Sequence, residues 1–299
     1  GDSPATVKYL QAVIGSAVIL LLYLLGALWC GRELGLLCAG LGAIHVSFVG
    51  VAIRLHSETL YTVLLLGFIV GYVRLWDRPT MRLALVTGVL LALATLAKPS
   101  PQALPAVILL GFVFERRRPD RRLRRDLAAW AVLTASFVMV IMPWSVRNYR
   151  VHGRLVLLTT ETGYVLNHSY YPKDGKIYGV TDITPMKLAA DQIVEETAAN
   201  AYLTRAIVRD VLDHPVDKIV KLLPLKLAFY LSPFDWEVFG GNGTYNFTYV
   251  FLLPFGFVGI IISAQAWPRS LPLFAVLGYM VCLTLVLYGS SRLRLPIEP

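Results

Sequence analysis

An all-α polytopic membrane protein is the fold class this sequence predicts, on three observations. Charged residues make up only 16% of the chain and apolar residues 56%, against roughly 25% charged in an average soluble domain. The apolar residues come in long blocks without a helical polar stripe, the pattern of segments buried on all sides in lipid or in a bundle. The net charge of +9 sits mainly as arginines in short loops between those blocks. Membrane topology accounts for that arrangement, and nucleic-acid binding does not.

The elements follow in order. Blocks at 9–30, 36–53, 59–76, 126–144, 246–264 and 270–288 approach the roughly 17–25 residues that a span needs. Those at 83–97 and 101–114 are shorter. KPSP (98–101) between them predicts helices that tilt or end inside the bundle, where protein or water satisfies the freed backbone groups. The chain therefore divides into 1–145, apolar helices; 146–245, an extracytoplasmic or interfacial segment; and 246–299, two further spans and RLRLPIEP. The first span opens almost at residue 1, with no charged leader before it, and the sequence reads as a fragment of a longer protein.

Alternation fixes the sides. One face receives Arg32, then Arg74, Arg78 and Arg82, the seven arginines of 116–125, and Arg269, which makes it cytoplasmic by the positive-inside rule. The other face receives RLHSE (54–58), KPSP, residues 145–245 and RLRLPIEP. Residues 145–245 hold 11 Lys/Arg and 11 Asp/Glu, a neutral balance suited to translocation. Within them, 159–172 is aromatic and polar. From Pro185 to Pro215 the pattern is helical, with Ile193, Ala201, Ile207, Val211 and Leu212 on one apolar face and a proline at each end. LLPLKLAFYLSPFDWEVF (222–239) is too short and interrupted to span, and its aromatics suit a helix lying in the interface.

Candidate site residues collect at span ends on the second face: Arg54, His56 and Glu58; Lys98; Arg147 and Arg150; Arg292 and Arg294. Ionisable groups at membrane depth are costly and usually face a cavity, partner or ligand. Cations from four span ends would form a pocket for an anion held at the membrane surface, such as a lipid phosphate, with arginine offering a planar fork and lysine a point charge. Anchoring to headgroups is the competing explanation for Arg54, Arg147 and Arg150, and helix capping for Lys98. The arginines of 116–125 read as topogenic, His45 as an interhelical hydrogen bonder, and Gly67 and Gly71 as packing. Asp235 and Glu237 read as interfacial, and the sequons at Asn167, Asn242 and Asn246 match a common pattern. Cys30, Cys38 and Cys282 lack metal or disulfide spacing, and no metal or cofactor is expected.

PWSVRNYRVHGRLVLLTTETGYVLNHS (143–169) resembles a stretch of the integral-membrane GT-C glycosyltransferases, of the aminoarabinose-transferase and protein O-mannosyltransferase type. RLHSETLYTVLLL, LATLAKPSP, LDHPVDKIVKLLPLKLAFYLSPFDWE and YGSSRLRLPIEP follow in that family's order, so the resemblance covers nearly the whole chain. It implies a GT-C-like helical bundle in the cytoplasmic membrane, acting on the extracytoplasmic side. A sugar would pass from a polyprenyl-phosphate carrier to a lipid, glycan or protein acceptor, with membrane lipid as surroundings and no nucleic acid. By position, Lys98, Arg147, Arg292 and Arg294 would hold the donor phosphate. Arg54, His56, Glu58, Tyr149, Glu161 and His168 would line the substrate cavity. The family's catalytic carboxylate lies in a first external loop, and no Asp here matches it, so no catalytic base is assigned. A transporter or lipid flippase and a non-catalytic scaffold are the alternatives. The transporter is disfavoured by the absence of an internal repeat and by charges gathered at one interface.

Overall fold

A computed structural model of the chain describes residues 4–52, 56–115, 123–173, 176–181, 184–235 and 244–287. It is that of a nearly all-helical polytopic protein. The helices are α1 (Pro4–Cys30), α2 (Arg32–Ala43), α3 (Val46–Ala52), α4 (Glu58–Asp77), α5 (Met81–Ala97), α6 (Leu104–Phe114) and α7 (Leu123–His152), then α8 (Thr162–Tyr170), α9 (Pro185–Asp191), α10 (Glu196–Asp213) and α11 (Leu222–Tyr230), and last α12 (Phe247–Gln265) and α13 (Trp267–Val286). Among the described residues five helices are long and apolar enough to cross a membrane, or six if α2 and α3 form one broken span. Only 11% of the apolar window of α12 and 17% of that of α1 is buried within the protein. Apolar faces left that open require lipid around them.

The chain forms two compact units. In the first, running to Ile141 and including Tyr245–Met280, α4 is the central helix, with Tyr61, Leu65, Phe68, Tyr72 and Leu75 each at most 1% exposed. Tyr72 meets Trp76 edge-on, and Trp76 stacks on Phe112 with centroids 5.2 Å apart. Small residues set the closest approaches: a Cβ on Gly71 would lie 2.5 Å from the Thr87 hydroxyl, and one on Gly35 2.7 Å from the Tyr23 carbonyl. Within this unit the helix ends group as alternation requires. Arg269 donates to the Leu28 carbonyl, Trp76 to Pro268 and Arg125 to Pro79. At the opposite end Gln11 donates to the His56 carbonyl and Asn246 to Ser47.

Several elements differ from the sequence expectation. The block 36–53 is not one straight span: α2 and α3 meet at 56°. The Val46 amide freed there donates to the Thr248 hydroxyl at 3.2 Å, so α12 supplies an acceptor that lets the helix break. Asn246 is the N-cap of α12, accepting from the Tyr249 amide at 3.0 Å. It is fully buried, so this sequon asparagine is a fold element. Asn167 is also buried, and Asn242 lies outside the described residues. Pro143 does not end its helix, for α7 runs through it to His152 and stops at Gly153, whose φ of 66° gives the left-handed cap glycine favours.

The second unit comprises Met142–Thr244 with the end of α13 from Val281. Its 159–172 stretch, aromatic and polar in sequence, contains α8. Pro172–Lys173 and Lys176–Thr181 form a short antiparallel pair. The expected helix from Pro185 is two, because Glu195 and Glu196 restart it as α10 with acidic groups at the new N-terminus, where the macrodipole favours them. The buried face is Ala199, Leu203 and Ile207, with Val211 against it. Leu212 is 70% exposed, because the true stripe steps by four residues from Ala199. α11 covers only Leu222–Tyr230, too short to span.

Gly88 tests the packing. A Cβ there would land on the Leu133 carbonyl and the Ser136 hydroxyl of α7, whereas one on Gly278 meets nothing within 4 Å. Gly88→Val is expected to destabilise the protein by roughly 1–3 kcal/mol or more, and Gly278→Ala by less than about 0.5 kcal/mol, read as thermal midpoints in detergent.

Candidate functional site

In the first unit, the start of α4 and the end of α5 bring two of the expected residues together. Pro99 holds the residue before it out of the helical region, and Lys98 is extended at φ −153°, ψ 123°, which ends α5. Its ammonium pairs with Glu58 at 3.4 Å; the Glu58 side chain is 2% exposed and that of Lys98 20%. The ammonium also lies 5.8 Å from the Tyr61 ring centroid, within cation–π range. One turn into α4, the Tyr61 hydroxyl is 2.8 Å from that of Ser100, and Tyr279 of α13 donates to the Ser100 carbonyl. Tyr279 is well inside α13, so the KPSP turn dips into the bundle, as its short flanking helices imply. The result is a half-buried cation among hydroxyls, balanced by a buried carboxylate. An anion at Lys98 must share it with Glu58 or displace that carboxylate.

In the second unit, the PWSVRN stretch acquires a concrete structural role. After Gly153 the chain folds back along α7, and its carbonyls need donors. Trp144 donates to the Leu158 carbonyl at 3.1 Å, Ser145 to Leu157 at 2.9 Å, and Asn148 to Val156 at 3.2 Å. Residues 144, 145 and 148 share a helix face, so tryptophan, serine and asparagine at this spacing form a docking strip for the return segment. Arg147 is exposed, lies 5.0 Å from the Trp144 ring, and donates to Asn148 at 3.4 Å.

Lys226 is a site residue that composition and spacing alone do not single out. It is 2% exposed and donates to the carbonyls of Leu285 and Val286 at 3.0 and 3.4 Å, with the Tyr170 ring centroid 3.9 Å away. An ammonium thus caps the C-terminal end of α13, where the helix dipole offsets part of the cost of burying it. The one lysine inside an otherwise apolar LLPLKLAFYL was the available signal. Nearby, Tyr171 donates to Asp210 and Lys218 sits 3.4 Å from the same carboxylate. The tyrosine hydrogen bond first, then the lysine, holds Asp210 below the usual carboxylate range.

The other expected residues are placed as follows. His56 is half-buried at the entrance to α4. Tyr149 is 56% exposed on α7, and Glu161 is exposed at the start of α8 without capping it through its side chain. His168 lies on α8, and partial burial followed by the Lys187 ammonium holds it below the ordinary imidazole value. No hydrogen bond or ion pair joins Arg147, Tyr149, Glu161 and His168 to one another among the described residues. Arg54, Arg292 and Arg294 lie outside them, as does Glu237. His45, expected mid-span, is fully buried at the α2–α3 break with its ring 4.9 Å from that of Phe48. No group of three or more His, Cys, Asp or Glu residues among the described residues is placed to hold a metal. The chain matches no family model, no curated protein and no solved structure.

Burial pushes the Lys226 ammonium down to about 8 from an ordinary 10.5. A folded-state value below the unfolded one means that the charged form opposes folding. The penalty is full below about pH 8 and is relieved as pH rises towards 10.5. Wild type should therefore gain stability on Lys226→Met across that window, by on the order of 3 kcal/mol at most, in paired thermal melts. A constant difference from pH 7 to 10.5 would show that burial does not govern this ammonium.

Proposed function

We propose that the protein is an integral-membrane glycosyltransferase of the GT-C kind, taking a sugar from a polyprenyl-phosphate carrier on the extracytoplasmic side of the cytoplasmic membrane. The acceptor is an envelope lipid, glycan or protein. The observation that carries this reading is the Lys98 ammonium, held at a span end between Glu58 and Tyr61. It supplies positive charge where the phosphate of a membrane-embedded carrier would stand. The order of the sequence motifs supports the same reading.

In the reaction, an acceptor hydroxyl or amine attacks the anomeric carbon, the bond from that carbon to the phosphate oxygen breaks, and polyprenyl phosphate departs with the electron pair. The acceptor's proton goes to a carboxylate that this chain does not identify. Lys98 stabilises the charge that grows on the leaving phosphate. Glu58 holds the ammonium in position before the carrier arrives. By the order of the sequence motifs, Arg147, Arg292 and Arg294 are further candidate cations.

One observation favours a second reading. A buried histidine at a 56° break in an apolar helix pair is a feature of transporters and flippases, whose sites form at discontinuous helices. The two readings place the essential residue at different positions.

Polyprenyl phosphate is the product common to every sugar donor of this class, so its binding needs no knowledge of the sugar. Lys98→Met is expected to weaken binding of a synthetic polyprenyl phosphate by about tenfold, or about 1.4 kcal/mol, while His45→Ala leaves it unchanged. Equal binding by wild type and Lys98→Met would remove Lys98 from the site. Loss of binding in His45→Ala alone would favour the transporter.

A further inference from the structure

A groove within the first unit, between α1, α4, α12 and α13, lies away from the Lys98 cluster, in the half of the bundle nearer the arginine-bearing helix ends. Its volume is about 310 Å³, at the lower end of the roughly 300–1,000 Å³ of small-molecule sites. Leu22 and Leu25 of α1 face Gly256 and Gly259 of α12 across it, with Leu277 and Ser270 on α13. A Cβ on either glycine would meet nothing within 4 Å, so the space is open along α12. The lining is apolar except for serine. Ser270 is 1% exposed, and its hydroxyl has no partner among the described residues. A buried hydroxyl without a partner is unfavourable and marks a place for an acceptor.

The rim is cationic and aromatic. Leu22, Leu25 and Trp29 follow one another at i, i+3 and i+7 on one face of α1, so the groove leads towards Trp29. There Arg269, next to Ser270, is exposed, donates to the Leu28 carbonyl at 2.9 Å and lies 5.7 Å from the Trp29 ring. Its remaining N–H groups are available to an anion. Tryptophans at a helix end sit at headgroup level, and Trp76 donates to the Pro268 carbonyl at the same end. Arg32, Arg74, Arg78 and Arg82 are exposed at this end too, in excess over the exposed Glu33 and Asp77.

We propose that this groove holds one anionic phospholipid from the leaflet on the arginine-bearing face. An acyl chain lies between α1, α12 and α13, the Ser270 hydroxyl donates to a glycerol ester carbonyl, and Arg269 meets the phosphate. Apolar walls, a buried donor and a cation at headgroup level match the three parts of such a lipid in order. The site is independent of the transfer reaction and stands on the opposite half of the bundle from it.

Native mass spectrometry of the full-length protein in mixed micelles tests this, with phosphatidylglycerol or phosphatidylcholine supplied. Wild type is expected to retain one phosphatidylglycerol at about tenfold lower concentration than phosphatidylcholine. Gly259→Leu puts a side chain into the groove from a position whose added Cβ meets nothing within 4 Å, and should lose the bound lipid while keeping its thermal midpoint. Ser270→Ala, a smaller change, should weaken retention of both lipids. Arg269→Gln should keep a lipid but lose the preference. The proposal is overturned if Gly259→Leu and Ser270→Ala retain phosphatidylglycerol as wild type does, or if wild type holds both lipids equally. It is also overturned by a dimer that Gly259→Leu dissolves, because the groove would then seat a second copy.

Discussion

Backbone polar groups left open where helices break or end must find partners, and much of this structure depends on how side chains meet that need. Thr248 takes the amide released between α2 and α3. Tyr279 reaches the Ser100 carbonyl in the dip between α5 and α6. Trp144, Ser145 and Asn148 together receive the carbonyls of the segment returning along α7. Lys226 closes the last turn of α13. In each case a polar side chain satisfies a backbone group that has no partner within its own helix.

This changes the weight of the sequence motifs. In PWSVRN the tryptophan, serine and asparagine are the residues committed to the fold, and Arg147 stays exposed beside them. Lys98 is the reverse case. A capping role was the competing explanation, and the helix does end there, but the ammonium goes to Glu58 and the face of Tyr61. A cation already paired with a buried carboxylate is held in one place, and it yields its full charge to a ligand only by sharing or displacing that partner. Under the proposed function, the pair keeps the ammonium located before an anionic carrier arrives.

The apolar surface carries a similar distinction. α12 and α1 are barely covered by protein, as lipid-facing helices should be, whereas α4 is enclosed. Within that open surface the groove beside α12 stands apart, because it combines glycine-walled space with a buried hydroxyl and an arginine held on a tryptophan. Uniform lipid contact needs none of these.

The sequence by itself determined the class, the blocks that become helices, and the grouping of their ends. Hydropathy over some twenty residues and the placement of arginines are local properties, and burial in lipid does not depend on which helix lies next to which. It also located the KPSP break, because proline acts on its own neighbours. Only the tertiary structure decided what the polar residues do. The pairing of Glu58 with Lys98, the hydrogen bond from Asn246 to Ser47, the return segment on Asn148 and the ammonium of Lys226 on α13 join residues separated in the chain by as few as 8 positions or as many as 199. Hydropathy scores such residues only as polar. Helix packing selects the backbone group or charge that each one meets, and that choice sets whether it serves the fold or remains available for chemistry.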